Sequence, residues 1–368
     1  MRLCIGHGGD IGEPSGGTDR VSALAAGLAD RGADVTLVVP TPTGPVPDRL
    51  DVVECEYVDP PTSTSIARAA SVARTAAKRA EATDSVLQLE HSTLAGVGTV
   101  LGVEDYVLDM HDVGYSRFDH VEHLAAPLLK RAVKRLERRA LERATHVVVV
   151  SEVMAEMVQR LWDVPRTSIS VVPNGYFPET IAPYRDVPVL DGKVAFLGTL
   201  HPKVDIDTLV AIAKLPEVTE MAVVGTGAQR ERLEQAADRT EALRPMGRLP
   251  DDEAFETVAS AQVLVNPQTV SAIQRSSSPV KLYYYAALGK PMVVTPGPSV
   301  VEALVRQGAA VTAQSRRNFV SRVRAILSDE SFATRLATNA RNAAESFRWD
   351  ERVLEFESVH RLLAGETT

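Results

Sequence analysis

The chain has 368 residues, more than one hydrophobic core usually organises, so two domains are expected. Its 45% hydrophobic and 24% charged content is ordinary for a globular protein, and a net charge of −8 speaks against nucleic acid as a partner. Cys4 and Cys55 offer neither a metal spacing nor a disulfide framework, no secretory leader is visible, and no run reaches the ~18–20 apolar residues of a membrane span, so a cytoplasmic protein is expected.

Taken in order, Arg2–Ile5 reads as a short apolar strand that ends in a glycine-rich loop, Gly6 to Arg20. A helix is predicted over Thr18–Arg31, with Val21, Leu24, Ala25 and Leu28 on one stripe, and a continuously apolar strand over Val35–Val39. This is a βαβ unit, and its unbroken apolar strands suit a parallel sheet covered on both faces. The loop is long for a βα connection, and no clean G-x-G-x-x-G precedes the helix, so a dinucleotide fingerprint is not supported. The pattern repeats with strands at Val52–Val58, Ser85–Leu89, Tyr106–Met110, His146–Val150 and Ile169–Val172. Helices are predicted at Ser65–Ala82, Leu94–Leu101, Phe118–Arg143 and Glu152–Trp162. Together these make one doubly wound α/β domain.

Pro173, Pro178, Pro183 and Pro188 then mark a boundary. The rhythm restarts with strands at Lys193–Leu197, Met221–Val224 and Val263–Asn266, and helices at Asp205–Lys214, Ala228–Arg239 and Asp251–Ala259. Ser276–Thr295 reads as a polar loop, a helix start at Pro279, a stop at Gly289 and a strand from Pro291. Three terminal helices are placed around Arg317–Leu327, Ser331–Phe347 and Asp350–Leu363. The expected architecture is two tandem α/β domains, residues 1–180 with the C-terminal helix 350–368, and residues 190–347.

In doubly wound sheets ligands sit at the carboxyl ends of the strands, so the loops there carry the candidates. Gly16 and Gly17 stand just before a helix, where backbone N–H groups can approach an anion; a flexible surface loop is the competing reading. His111 follows the strand Tyr106–Met110 and suits a hydrogen-bonding or charge-stabilising role, against a turn-capping role with Asp112 as helix cap. His91 has the same placement after Ser85–Leu89. Gly198, Thr199 and Lys203 combine backbone, hydroxyl and ammonium groups fit for a diphosphate, or form a turn ahead of Asp205 as a cap. Gly225 and Gly227 leave room for a base or ribose.

The fifth loop delivers Ser278, Pro279, Val280 and Lys281 to a helix start, whose first N–H groups lack intrahelical partners and carry the positive end of the dipole. Lys281 opposes that dipole unless an anion sits there. Of the run Tyr283–Tyr285, at least one ring is expected to face outward, since three adjacent helical positions do not share a face. Basic residues crowd Pro127–Arg143, where Lys130, Arg131, Lys134, Arg135, Arg138, Arg139 and Arg143 are opposed only by Glu137 and Glu142. This helix, with Arg68, Arg74, Lys78 and Arg79 of Ser65–Ala82, is a candidate contact for an anionic membrane or an ordinary solvated face. There is no G-x-S-x-G elbow, Walker A sequence, H-E-x-x-H or CxxC.

The ordered set resembles the GT-B glycosyltransferases of glycosyltransferase family 4: an N-terminal GG loop, HD after a mid-domain strand, VVVVS, VVPNG, VxGxG, SPVKLYxYxAxGKPMV and the terminal ESFRWDERV pattern. The resemblance implies two Rossmann-like domains facing across a cleft, with the last helix packed on the first domain. It implies a retaining hexosyltransferase that moves sugar from a nucleoside-diphosphate sugar, the co-substrate, to a glycan or lipid-linked acceptor hydroxyl, with no metal and no other cofactor. Work at the inner membrane face as a peripheral protein would follow.

On the same basis Lys281, the helix start and Gly16–Gly17 would stabilise the departing diphosphate, and His111 would lie near the donor sugar. The family's two glutamates, eight positions apart, correspond here to Ser276 and Tyr284, so Tyr284 would offer a hydroxyl to the ribose where a carboxylate is usual. The arginine usual after Gly198 is Thr199. The alternatives are a nucleotide-sugar-binding or partner protein without turnover, and a sugar-nucleotide epimerase of similar shape, whose acid/base carboxylates are not evident.

Overall fold

The computed structural model describes residues 1–13, 15–62, 64–115 and 126–365. The chain divides into two compact units, residues 1–175 with 276–278 and 349 onward, and residues 176–275 with 279–348.

In the first unit the elements are β1 (Arg2–Gly6), α1 (Gly16–Asp30), β2 (Asp34–Pro40), β3 (Glu54–Val58), α2 (Ser65–Thr83), β4 (Val86–Glu90), α3 (Ser92–Val100), β5 (Tyr106–Met110), α4 (Ala126–Arg143), β6 (Ala144–Val149), α5 (Glu152–Trp162) and β7 (Ile169–Val171). The seven strands are parallel in the order β3-β2-β1-β4-β5-β6-β7, so the strand order reverses between β1 and β4. Residues ahead of Glu54 form a 3-10 turn, Asp48–Val52, rather than the start of a strand. Of the predicted helix Phe118–Arg143, the part before Ala126 lies outside the described residues.

The second unit holds α6 (Pro178–Ile181), β8 (Leu190–Leu197), α7 (Ile206–Ala213), β9 (Glu220–Val224), α8 (Arg230–Ala237), β10 (Leu243–Gly247), α9 (Asp251–Ala259), β11 (Ala261–Asn266), α10 (Ala272–Ser276), α11 (Val280–Ala287), β12 (Met292–Val294), α12 (Ser299–Arg306), β13 (Val311–Thr312), α13 (Arg316–Ser328) and α14 (Glu330–Ala344). Its strand order is β10-β9-β8-β11-β12-β13, reversing between β8 and β11. The proline-rich stretch is no loose linker. Tyr176, Phe177 and Ile181 are buried in this unit, and Pro178 opens α6. Five elements are absent from the sequence-based reading, among them the short helices α6 and α10. Another is β10, where Pro245 is tolerated because the strand lies at the sheet edge. The others are α12, which buries Val300, Val301 and Leu304, and the short β13.

The expectation that one tyrosine of α11 faces outward is wrong. Tyr283, Tyr284 and Tyr285 are 2%, 8% and 0% exposed. Neighbours surround the helix on every side, with α14, α12 and α6 all in contact, so it has no outward face. The last helix, α15 (Trp349–Leu363), belongs to the first unit. Val353 packs so closely on Gly27 of α1 that a Cβ there would stand 2.4 Å from it, and Glu357 pairs with Arg31 at 2.5 Å.

Candidate functional site

Each sheet concentrates unusual chemistry at its own switch point, where loops from neighbouring strands diverge and leave a crevice. In the second unit the loop after β8 is pinned first. Tyr285 Oη accepts a hydrogen bond from Leu197 N at 2.8 Å, and Gly198 N donates to Val224 O at 2.9 Å. The glycines here are demanded by geometry. Gly198 and Gly225 have φ of +128° and +131°, and a Cβ on Gly225 would stand 2.1 Å from Gly198 O. A Cβ on Gly227 would stand 2.7 Å from Leu200 O, so the βα loops after β8 and β9 lie backbone to backbone.

Lys281 lies in the first turn of α11, and its ammonium reaches this spot. A Cβ on Gly198 would stand 2.6 Å from Lys281 Nζ, which lies 4.1 Å from the centre of the Phe196 ring. Among the described residues no carboxylate pairs with it, and burial followed by the nearby Lys203 charge pulls its pKa down to about 7. Gly198, Lys203 and Lys281 are therefore brought together as expected from the loops, a desolvated cationic spot on a glycine-rich floor. Thr199 is exposed and Val280 half-buried. Asp205 caps α7, accepting from Thr208 N at 3.1 Å, as the capping reading of that turn has it. Tyr284 sits elsewhere: its ring meets Phe255 edge-on at 5.1 Å inside the apolar core.

Ser278 and Pro279 straddle the division between the units. Ser278 is held in the first unit, where Asn174 N donates to its Oγ at 3.2 Å and Asn174 Nδ2 to its carbonyl at 2.8 Å. Ser151 Oγ donates to Ser276 O at 2.7 Å and also caps α5. Pro279 is the N-cap of α11, with no side-chain capping bond.

In the first unit a recess of about 430 Å³ opens at the carboxyl ends of β1 and β4, lined among others by His7, Gly9, Gly17, Arg68, His91 and His111. A larger groove, about 850 Å³, lies between α2 and the amino ends of β4 and β5; Arg74 and Lys78 line it, but none of the candidate donor-site residues does. Gly16 and Gly17 form the first turn of α1, capped by Ser15 Oγ accepting from Thr18 N at 3.1 Å. His111 Nε2 lies 2.6 Å from Glu90 Oε2 and 3.9 Å from Asp109 Oδ1. Burial opposes its charge, but Asp109 and Glu90 outweigh burial and raise its pKa. His91, with φ of +78°, caps α3 through Nδ1 and pairs with Asp112.

His7, Glu90 and Asp109 were not among the sequence candidates. His7 follows β1 directly, which was the available signal. Glu90, Asp109 and His111 present ligand atoms within 4.8 Å of one another. Their oxygens are already engaged, however: Arg20 takes both of Asp109, and Gln88 and His111 take those of Glu90. The cluster is a satisfied hydrogen-bonded group.

His7 is 8% exposed, and burial pulls its pKa to about 4 from an ordinary 6.5. Below pH 6.5 the unfolded chain takes up a proton that the folded chain refuses, so His7 makes stability fall as pH drops from 6.5 to about 4, by about 3 kcal/mol in all. Wild type should lose up to about 3 kcal/mol relative to His7→Gln in melts as pH falls across that range; parallel curves would contradict the burial argument.

Two parallel α/β sheets, each with its singular residues at a strand-order reversal, define a two-domain protein of Rossmann-like halves. Residues 15–175 match the family model of the glycosyl transferase 4-like domain, and residues 191–329 that of the glycosyl transferases group 1. The chain belongs to the group 1 glycosyltransferases, with the GT-B fold. Over 139 residues it is 30% identical to the phosphatidyl-myo-inositol mannosyltransferase of Mycolicibacterium smegmatis, a match covering 34% of this chain and only 35% of that protein. Sucrose-phosphate synthase of Thermosynechococcus elongatus superposes with a TM-score of 0.81 at 18% identity, over 100% of this chain and 99% of that one. WaaG, a glycosyltransferase involved in lipopolysaccharide biosynthesis, gives 0.74 at 16% identity over 99% and 100%. Anabaena HepE in complex with UDP-glucose gives 0.73 at 15% over 97% and 99%. At these identities the likeness is one of fold.

Proposed function

We propose that the protein is a retaining glycosyltransferase that moves a hexose from a nucleoside-diphosphate sugar to a glycan or lipid-linked acceptor hydroxyl, without a metal. The observation that carries this reading is Lys281. An ammonium desolvated in the first turn of a helix, against a glycine floor and with no carboxylate partner among the described residues, is unfavourable until an anion joins it. A diphosphate fits that requirement, and the charge that develops on it as the sugar departs is stabilised by Lys281, Lys203 and the first N–H groups of α11. HepE, of the same fold, was crystallised with UDP-glucose, which supports a nucleotide-sugar donor. His111 takes the role next to the donor sugar that the family resemblance gives it, and retention rests on that resemblance as well.

A lipid-linked acceptor is supported by α4. Arg131, Lys134, Arg135, Arg138 and Arg139 are exposed together with Leu128 and Leu129, while Glu137 is turned inward onto Ser92 Oγ and Gly114 N and so does not offset the basic face. Such a face suits an anionic membrane surface. No described helix is long and apolar enough to cross a membrane.

Incubating the protein with labelled UDP-, GDP- and dTDP-sugars and cell membranes tests the reading. Label should pass from one donor to membrane material, with slow donor hydrolysis in its absence. Binding without either turnover would leave a non-catalytic binding protein, the reading that Tyr284 favours, since its ring packs on Phe255 in the core where a carboxylate would be usual.

A further inference from the structure

The first sheet carries a buried polar row that leads away from the recess. Strand β4 alternates, sending Leu87 and Leu89 into the apolar core with α2 and α3, so Gln88 and Glu90 project from the opposite face. They are 0% and 1% exposed. There they meet His360 of α15, itself 0% exposed. His360 Nε2 lies 2.7 Å from Gln88 Oε1, Gln88 Nε2 lies 2.5 Å from Glu90 Oε1, and Glu90 Oε2 lies 2.6 Å from His111 Nε2. An unbroken row of four side chains thus joins the C-terminal helix to the histidine of the recess.

His360 Nδ1 faces Phe356 O at 3.0 Å, so both of its nitrogens face oxygens and both must carry hydrogen. Burial opposes that charge and pulls the ring's pKa to about 4. Reversing the Gln88 amide would let a neutral ring accept from it at Nε2, but would set Gln88 Oε1 against a Glu90 oxygen.

We propose that Glu90, Gln88 and His360 are positioning residues for His111: Glu90 fixes the imidazole's orientation and charge, and His360 fixes Glu90 through Gln88. An apolar pair at 88 and 360 would fill the same space at lower cost, since buried polar groups are expensive unless fully paired. The groups facing His111 are Glu90 from β4, Asp109 from β5, Arg20 from α1, and His7 and His91 from the loops after β1 and β4. His360 is faced by His146 of β6 and by Glu90. Glu90 is the member whose removal changes the charge touching His111.

This inference rests on the proposed transfer reaction for its kinetic arm only. Nitrogen NMR of histidine-labelled protein reads His111 without any substrate. In Glu90→Gln, which keeps the size, the His111 titration should fall by roughly 1–3 pH units, the effect of losing an adjacent opposite charge. In His360→Leu the His111 resonance should move or split, and His360→Gln, which retains an amide for Gln88, should restore it in part. With an active donor in hand, Glu90→Gln and His360→Leu should lower kcat at least tenfold while KM for the donor stays within about twofold, and Glu90→Gln should shift the pH profile. Unchanged His111 titration in folded Glu90→Gln, or an unmoved resonance in both His360 variants, would overturn the proposal. If wild type turns over no donor while the NMR shifts occur, the transfer reading fails and the positioning row stands.

Discussion

Lys281→Ala should abolish glycosyl transfer and leave the protein at least as stable as wild type. Removing an electrostatic stabiliser from a dry site typically costs 10²–10³ in kcat, and here the floor glycines and Lys203 remain to bind a diphosphate weakly. The effect on stability has the opposite sign. A lysine whose pKa falls from 10.5 to about 7 on folding pays for its burial wherever the unfolded chain would be charged and the folded one resists. Below pH 10.5 the unfolded state binds the proton more tightly, so this term weakens the fold as pH drops toward 7, by an amount on the order of a few kcal/mol. Lys281→Met, which keeps the volume, should therefore melt above wild type at pH 7 and lose that advantage at alkaline pH. Near-normal transfer by Lys281→Ala would refute the phosphate assignment.

Arg20→Met should be the most damaging single change to the first unit. Arg20 and Asp109 are both 0% exposed and joined by two bonds, Nε to Oδ2 at 2.8 Å and Nη2 to Oδ1 at 3.0 Å. Nη1 donates further to Val172 O at 2.9 Å and Asn174 Oδ1 at 3.1 Å. Taking away the guanidinium leaves a buried carboxylate with only His111, 3.9 Å from Oδ1, to offset it, a loss of about 3–5 kcal/mol. Because Asn174 in turn holds Ser278, the damage should extend to the segment that delivers α11. Calorimetry should show the transition of the first unit lowered by several degrees, and the double variant Arg20→Met with Asp109→Leu should recover part of the loss. A transition within a degree of wild type for Arg20→Met would show that the pair contributes little.

What could be read in the sequence was local. The cationic spot was legible because Ser278–Lys281 signals a helix start by itself, and a lysine in a first turn contradicts the dipole unless something anionic joins it. The parallel sheets were legible from unbroken apolar strands. What escaped depends on partners far along the chain. Nothing beside Gln88 and Glu90 indicates that His360 will cover them, and α11 shows a polar-tipped tyrosine run whose burial is decided by α12 and α14. The edge strand β10 was hidden by Pro245, which is disfavoured inside a sheet and permitted at its rim. His7 was overlooked because its neighbours are glycines, which drew the reading of that loop to the backbone.

The central claim, that Lys281 and the Gly198 floor receive a diphosphate, is tested most directly by calorimetric titration with UDP, GDP and dTDP near pH 7.5, in two buffers of different ionisation enthalpy. Lys281 is partly deprotonated there, and an adjoining diphosphate raises its pKa, so binding should take up close to half a proton or more, and affinity should weaken as pH rises above 7. Lys281→Ala should bind at least tenfold more weakly and show no such uptake. Failure of all three nucleotides to bind, or binding with the same affinity and proton balance in Lys281→Ala, would contradict the account.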